Sequence, residues 1–126
     1  MILYVGGHAS GMEHIIKDKY ADDCIVISGL HEWIREELER YFASEKSYDV
    51  LTKKIEEKLS SLIEEKRAGA EKDRVIISSD LIGSGVVPVD SFDRCWREVT
   101  GRVLTDIAAG AEEVYRVICG IAQKLK

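Results

Sequence analysis

Six residues near the amino terminus carry the first chemical suggestion. Gly6, Gly7, His8, Ala9, Ser10 and Gly11 follow the apolar run ILYV and precede a stretch with helical apolar spacing. A glycine loop between a strand and a helix offers backbone N–H groups to a phosphate at the positive end of the helix dipole. The full pattern, G-x-x-x-x-G-K-[ST], places a lysine and a magnesium-binding hydroxyl directly after the second glycine. Gly6 and Gly11 keep the spacing, but Met12 and Glu13 stand where the lysine and the hydroxyl belong. The main-chain donors are expected to survive this change; the cation and the metal hydroxyl are not.

A second glycine loop lies in VIISSDLIGSGVVPVDSFDRCWREVTGR. It leaves an apolar run at Asp80, turns through Gly83 and Gly85, passes Pro88 and enters a helical pattern. Loops at the carboxyl ends of parallel strands line the ligand crevice of an open sheet, so both glycine loops should open on one edge. His31 follows another apolar run and belongs to that edge too. His8, His31 and Asp80 could converge there on a transition metal, but no close-spaced ligand pair supports it, and no metal site is assigned. Solvent-contacting loop histidines are the plainer reading. Cys24, Cys95 and Cys119 form no C-x-x-C pair and read as reduced core thiols, two in strands and one on a helix face.

The elements that must position these loops follow from periodicity. Residues 2–5, 24–28, 74–78 and 114–119 read as strands, most of them β-branched and nearly continuous in apolarity, as strands covered on both faces are. Leu30, Trp33, Ile34, Leu38, Tyr41 and Phe42 form one helical stripe; Leu51, Ile55, Leu59, Leu62 and Ile63 form another. Phe92, Cys95, Trp96, Val99, Val103 and Ile107 form a third. Their aromatics read as packing residues. Ser44–Ser47 separates the first two stripes, Gly69 suggests a carboxyl cap, and Asp90 or Ser91 an amino cap. Glu36–Arg40 and Lys53–Glu57 are spaced as helical ion pairs. The alternation predicts a mainly parallel α/β sheet with helices on both faces, one domain over residues 1–126.

Composition narrows the function. The net charge is −5, which argues against nucleic acid as a partner. No apolar run reaches the roughly 18 residues of a membrane span, so no membrane partner is expected. The opening MILYVGG has no basic n-region and reads as a buried strand rather than a leader. A cytoplasmic location is the expectation.

The two loops, in this order, resemble the adenosylcobinamide kinase / adenosylcobinamide-phosphate guanylyltransferase family of cobalamin synthesis. Gly6, Gly7, Ser10 and Gly11 fit its opening G-G-x-x-S-G, and residues 27–33 are similar to its D-C-L-T-x-W. Residues 79–88 resemble its N-E-x-G-x-G-x-V-P loop, and Arg94, Trp96, Arg97, Gly101 and Arg102 its R-x-F-R-x-x-x-G-R helix. Residues 111–115, Gly120 and the final Lys-Leu-Lys look like its ending. The resemblance implies a P-loop NTPase-like three-layer domain, GTP or ATP with magnesium as ligand, and a homo-oligomer, specifically a trimer.

Against the family pattern, Met12 replaces the lysine, Ser28 the metal-holding acid and His31 a threonine. Leu104-Thr105 replaces an Asn-Gln pair, and Asp80 is the acid retained from the N-E pair. The long insert bearing the guanylylated histidine is missing; His14 has no matching motif and takes no nucleophile role, so catalytic residues are left unassigned. Arg94, Arg97 or Arg102 could supply a substitute cation, although arginines on such a helix more often serve ion pairs and caps. Losing a charged hydrogen bond costs about 1.5–3 kcal/mol, roughly 10- to 100-fold in affinity. The expectation is a catalytically impaired relative with at most weak nucleotide binding. Its rivals are a non-enzymatic interaction or regulatory subunit, and an enzyme with chemistry rebuilt round Asp80 and His31.

Overall fold

The computed structural model describes residues 1–20, 22–69, 74–83 and 85–126. Ala21, and Ser84 between the two glycines of the second loop, lie outside the described residues. The chain runs β1 (Ile2–Gly6), α1 (Met12–Lys19), β2 (Cys24–Ile27), α2 (Leu30–Tyr41), α3 (Tyr48–Ala68), β3 (Arg74–Asp80), α4 (Ser91–Gly110), β4 (Glu113–Ile118) and β5 (Ile121–Lys124). The sheet order is β2-β3-β1-β4-β5. The first four strands are parallel, and β5 pairs antiparallel with β4.

The predicted two-faced packing holds. Leu3, Val5, Ile25, Ile27, Val75 and Ile77 point to the face covered by α2, α3 and α4. Ile2, Tyr4, Ile76, Tyr115 and Val117 point to the other, with Met12 and Ile16 of α1. Leu38, Leu51, Ile55 and Val99 are fully enclosed in the larger core. Each such burial contributes about 1.5–3 kcal/mol relative to exposure, which is what holds these helices on the sheet. The aromatic residues Trp33, Tyr41, Phe42, Phe92 and Trp96 are half-buried against it, in the packing role expected.

The caps fall as their chemistry requires. Ser47 starts α3 by accepting from Val50 N–H, and Asp90 starts α4 by accepting from Phe92 and Asp93 N–H. Gly69 closes α3. The expected Glu36–Arg40 and Lys53–Glu57 pairs are not among the described ion pairs; Arg40 approaches Glu37 instead, at 4.0 Å. Cys119 also differs from expectation. It is exposed and lies in the β4–β5 turn, whereas Cys24 and Cys95 are buried. Both turn residues are left-handed, Cys119 at φ 49° and Gly120 at φ 75°. A two-residue hairpin demands that geometry to match strand twist, so the strand must end at Ile118 and return as β5.

The order places β1 between β3 and β4. The chain leaves β1 for α1 on one face, and leaves β3 for α4 on the other. The crevice therefore opens between the loops after β1 and β3, where Leu81 N–H donates to Gly6 O at 2.8 Å.

Candidate functional site

The first loop has the backbone of an anion cradle. Ala9 (φ 55°) and Gly11 (φ 88°) are left-handed, so successive N–H groups can turn inward as a nest. No side chain caps α1 at Gly11. Among the described residues, the N–H groups of Gly7 to Glu13 donate to no turn, cap or side-chain acceptor. Gly6 is fixed by crowding, since a Cβ there would stand 2.7 Å from Val117 O. Gly11 passes close to Gly120, whose N–H donates to Ser10 O at 2.7 Å. The β4–β5 turn thus buttresses the loop from behind, a support invisible in the loop's own sequence.

The side chains that follow the cradle are turned to other uses. Met12 is only 5% exposed and packs in the smaller core with Tyr4 and Ile16. Glu13 Oε2 accepts from Ser28 Oγ at 2.8 Å, and Glu13 Oε1 accepts from Ser78 Oγ at 2.8 Å. P-loop NTPases hold magnesium between a loop hydroxyl and an acid on a neighbouring strand. Here the two residue types have changed places, and the carboxylate and hydroxyl bond each other instead of surrounding an ion. Both oxygens of Glu13 are engaged by serine hydroxyls, and Asp80, the other acid lining the cavity beside this loop among the described residues, is approached by His8 and His31. A magnesium–nucleotide complex does not fit these residues.

His31 is 8% exposed and sits at the start of α2. Its Nδ1 accepts from Asp80 N–H at 3.1 Å, which puts the ring proton on Nε2. Nε2 stands 3.5 Å from both Asp80 Oδ2 and Glu32 Oε1. Trp96 Nε1–H donates to His31 O at 2.7 Å and fixes the helix start against α4. His8 Nδ1 reaches Asp80 Oδ2 at 3.4 Å from a fully solvated position. His8 and His31 thus both approach Asp80, and the plainer reading of solvent-contacting loop histidines holds for His8 but not for His31, which is buried in the first turn of α2. Its Nδ1 contact commits His31 to the backbone, and no group of three His, Cys, Asp or Glu among the described residues is arranged to hold a metal.

Of the second-loop residues, Asp80 joins the first loop and lines a cavity of about 380 Å³ with Gly7, Gly11 and Glu13. Gly83 does not; it borders a groove of about 820 Å³ between α3 and α4. Gly85 is a left-handed turn (φ 100°) in the loop. The arginines offered as substitute cations are consumed. Arg94 Nη1 donates to Pro88 O and Val89 O, Arg97 to Gly83 O and Val86 O, and Arg102 to Asp49 and Glu98. Counting back from Gly83, the spacing N-E-x-G sets Asp80 opposite the family's Asn and Leu81 opposite its Glu. Asp80 is thus not the family's acid kept in place. Sequence reasoning named Gly120 only as part of the family-like ending, not as a support of the first loop, and missed Ser78; a serine at a strand end carries no signal of its own.

An open α/β sheet with a glycine loop before α1 and a second loop at the adjoining strand end defines a P-loop NTPase-like domain. The model of the family described as cobinamide kinase / cobinamide phosphate guanyltransferase matches residues 6–125, and the chain belongs to that family. It is similar to the bifunctional adenosylcobalamin biosynthesis protein CobU of Salmonella typhimurium and to that of Escherichia coli, 38% identical to each over 53 residues. The matched segment spans 42% of this chain and 29% of each relative.

Proposed function

We propose that this chain is a catalytically impaired member of its family that retains at most weak binding of a nucleotide, GTP or ATP, through main-chain donors. The observation that carries this reading is Glu13 held by Ser28 and Ser78, with Met12 buried beside it. Phosphoryl transfer rests on positioning and on neutralising phosphate charge. A carboxylate in the first turn stabilises the helix end and repels the same phosphate. The cytoplasm is the location proposed with it. No helix among the described residues is long and apolar enough to cross a membrane.

Substitution at the loop tests this. Glu13→Ser should strengthen GTP binding by roughly tenfold, read by calorimetry, because it removes one repulsive charge from the cradle. Met12→Lys added to it should strengthen binding further, at some cost in stability, since Met12 is packed in the core. No gain from either change would show that the cradle is not a phosphate site.

A second reading, a non-enzymatic interaction subunit that assembles as a homo-oligomer, has one observation in its favour. Val86, Val87 and Val89 are 95%, 64% and 94% exposed on a loop pinned by Arg94 and Arg97. The oligomeric state in solution reads it out.

A further inference from the structure

The first loop separates two cavities of opposite character. Both are bordered by Gly7, Ala9 and Ser10. The one on the α1 side adds Glu13, His14 and Asp80, so two carboxylates face it. The one on the β4 side, about 390 Å³, adds His8, Arg116 and Cys119. Arg116 stands opposite Val5 in the β1–β4 register and is exposed. Among the described residues its guanidinium makes no hydrogen bond or ion pair, whereas those of Arg35, Arg94, Arg97 and Arg102 are all engaged.

We propose that the β4-side cavity is an anion site, in which Arg116 supplies to a phosphate or diphosphate group the cation that Met12 does not. It rests on the reading that the loop still binds a nucleotide, and it adds a phosphate position on the β4 flank of the loop to the main-chain cradle on the α1 flank. An anion entering the α1-side cavity meets Glu13 and Asp80; one entering the β4-side cavity meets a free guanidinium whose planar fork matches two phosphate oxygens. His8 lies at the same mouth, its Nδ1 3.4 Å from Asp80 Oδ2. Leu81 and Ile118 line the same cavity.

The exposed thiol of Cys119 makes the site testable in the unmodified chain. Cys24 and Cys95 are buried, so a thiol reagent such as dithiobis-nitrobenzoate reads Cys119 first. Pyrophosphate and GTP, each added without magnesium, should slow that reaction several-fold with the concentration dependence of binding seen by calorimetry. Equal protection by both identifies a free-anion site; stronger protection by GTP identifies a nucleotide site. Arg116→Gln should weaken binding of the same probe about tenfold or more, and Arg116→Lys should recover part of it. Binding that leaves Cys119 unprotected and is unchanged in Arg116→Gln would overturn this placement and leave the nucleotide reading standing. Absence of any pyrophosphate or GTP binding would overturn both.

Discussion

At the scale of single residues, the decisive contact joins Glu13 and Ser28. The carboxylate stands where the phosphate-loop pattern has its hydroxyl, and it accepts from Ser28 Oγ at 2.8 Å. The first half of this was legible in the sequence, because Met12 and Glu13 follow Gly11 directly. The outcome was not, because Ser78 is supplied by a strand 65 residues away. A second carboxylate carries a pH dependence of its own. Glu56 on α3 shares the α3–α4 groove with Asp106, Arg102 and Lys53. Burial, then a hydrogen bond with Asp106, pushes its carboxyl from 4.5 up to about 7. Glu56 Oε1 has no partner among the described residues when both groups are ionised, so that bond depends on a shared proton. The folded chain keeps this proton between about pH 4.5 and 7, where the unfolded chain has lost it. Stability therefore falls as pH rises through that window. Glu56→Gln should be more stable than the parent above pH 7 by about 1 kcal/mol, after allowance for partial exposure. The difference should vanish toward pH 4.5 in denaturant titrations; a constant offset would mean that the pair does not titrate there.

At the scale of elements, four strands and the three long helices were legible because they are buried and periodic. β5 was not. Its four residues are all exposed, so no alternation marks them, and Cys-Gly lacks the turn signal of Asn-Gly or Asp-Gly. Yet this strand's turn holds the first loop, through Gly120 and Ser10. The second loop shows the reverse. Its glycines and proline are plain in sequence, but only the structure shows Arg94 and Arg97 spent on its carbonyl groups while its valines face outward. If those valines are an interface, Val86→Asp with Val89→Asp should leave monomer stability within about 0.5 kcal/mol. It should also lower the oligomer fraction in light scattering. A monomeric parent chain, or a variant that assembles equally well, would contradict the interface.

At the scale of the molecule, the proposed reading separates the architecture from the chemistry. The sheet order, the switch point at β1 and β3 and the nest after β1 depend on apolar burial and glycine geometry, and all are present. Metal and phosphate binding depend on side-chain chemistry, and here Met12 serves packing while Glu13 and Ser28 serve internal hydrogen bonding. Main-chain donors are insensitive to side-chain replacement; metal binding is not. The most direct measurement is calorimetric titration of the purified chain with GTP, with and without magnesium. The account predicts weak binding, millimolar or poorer, that magnesium does not improve. Submillimolar binding that requires magnesium would contradict it.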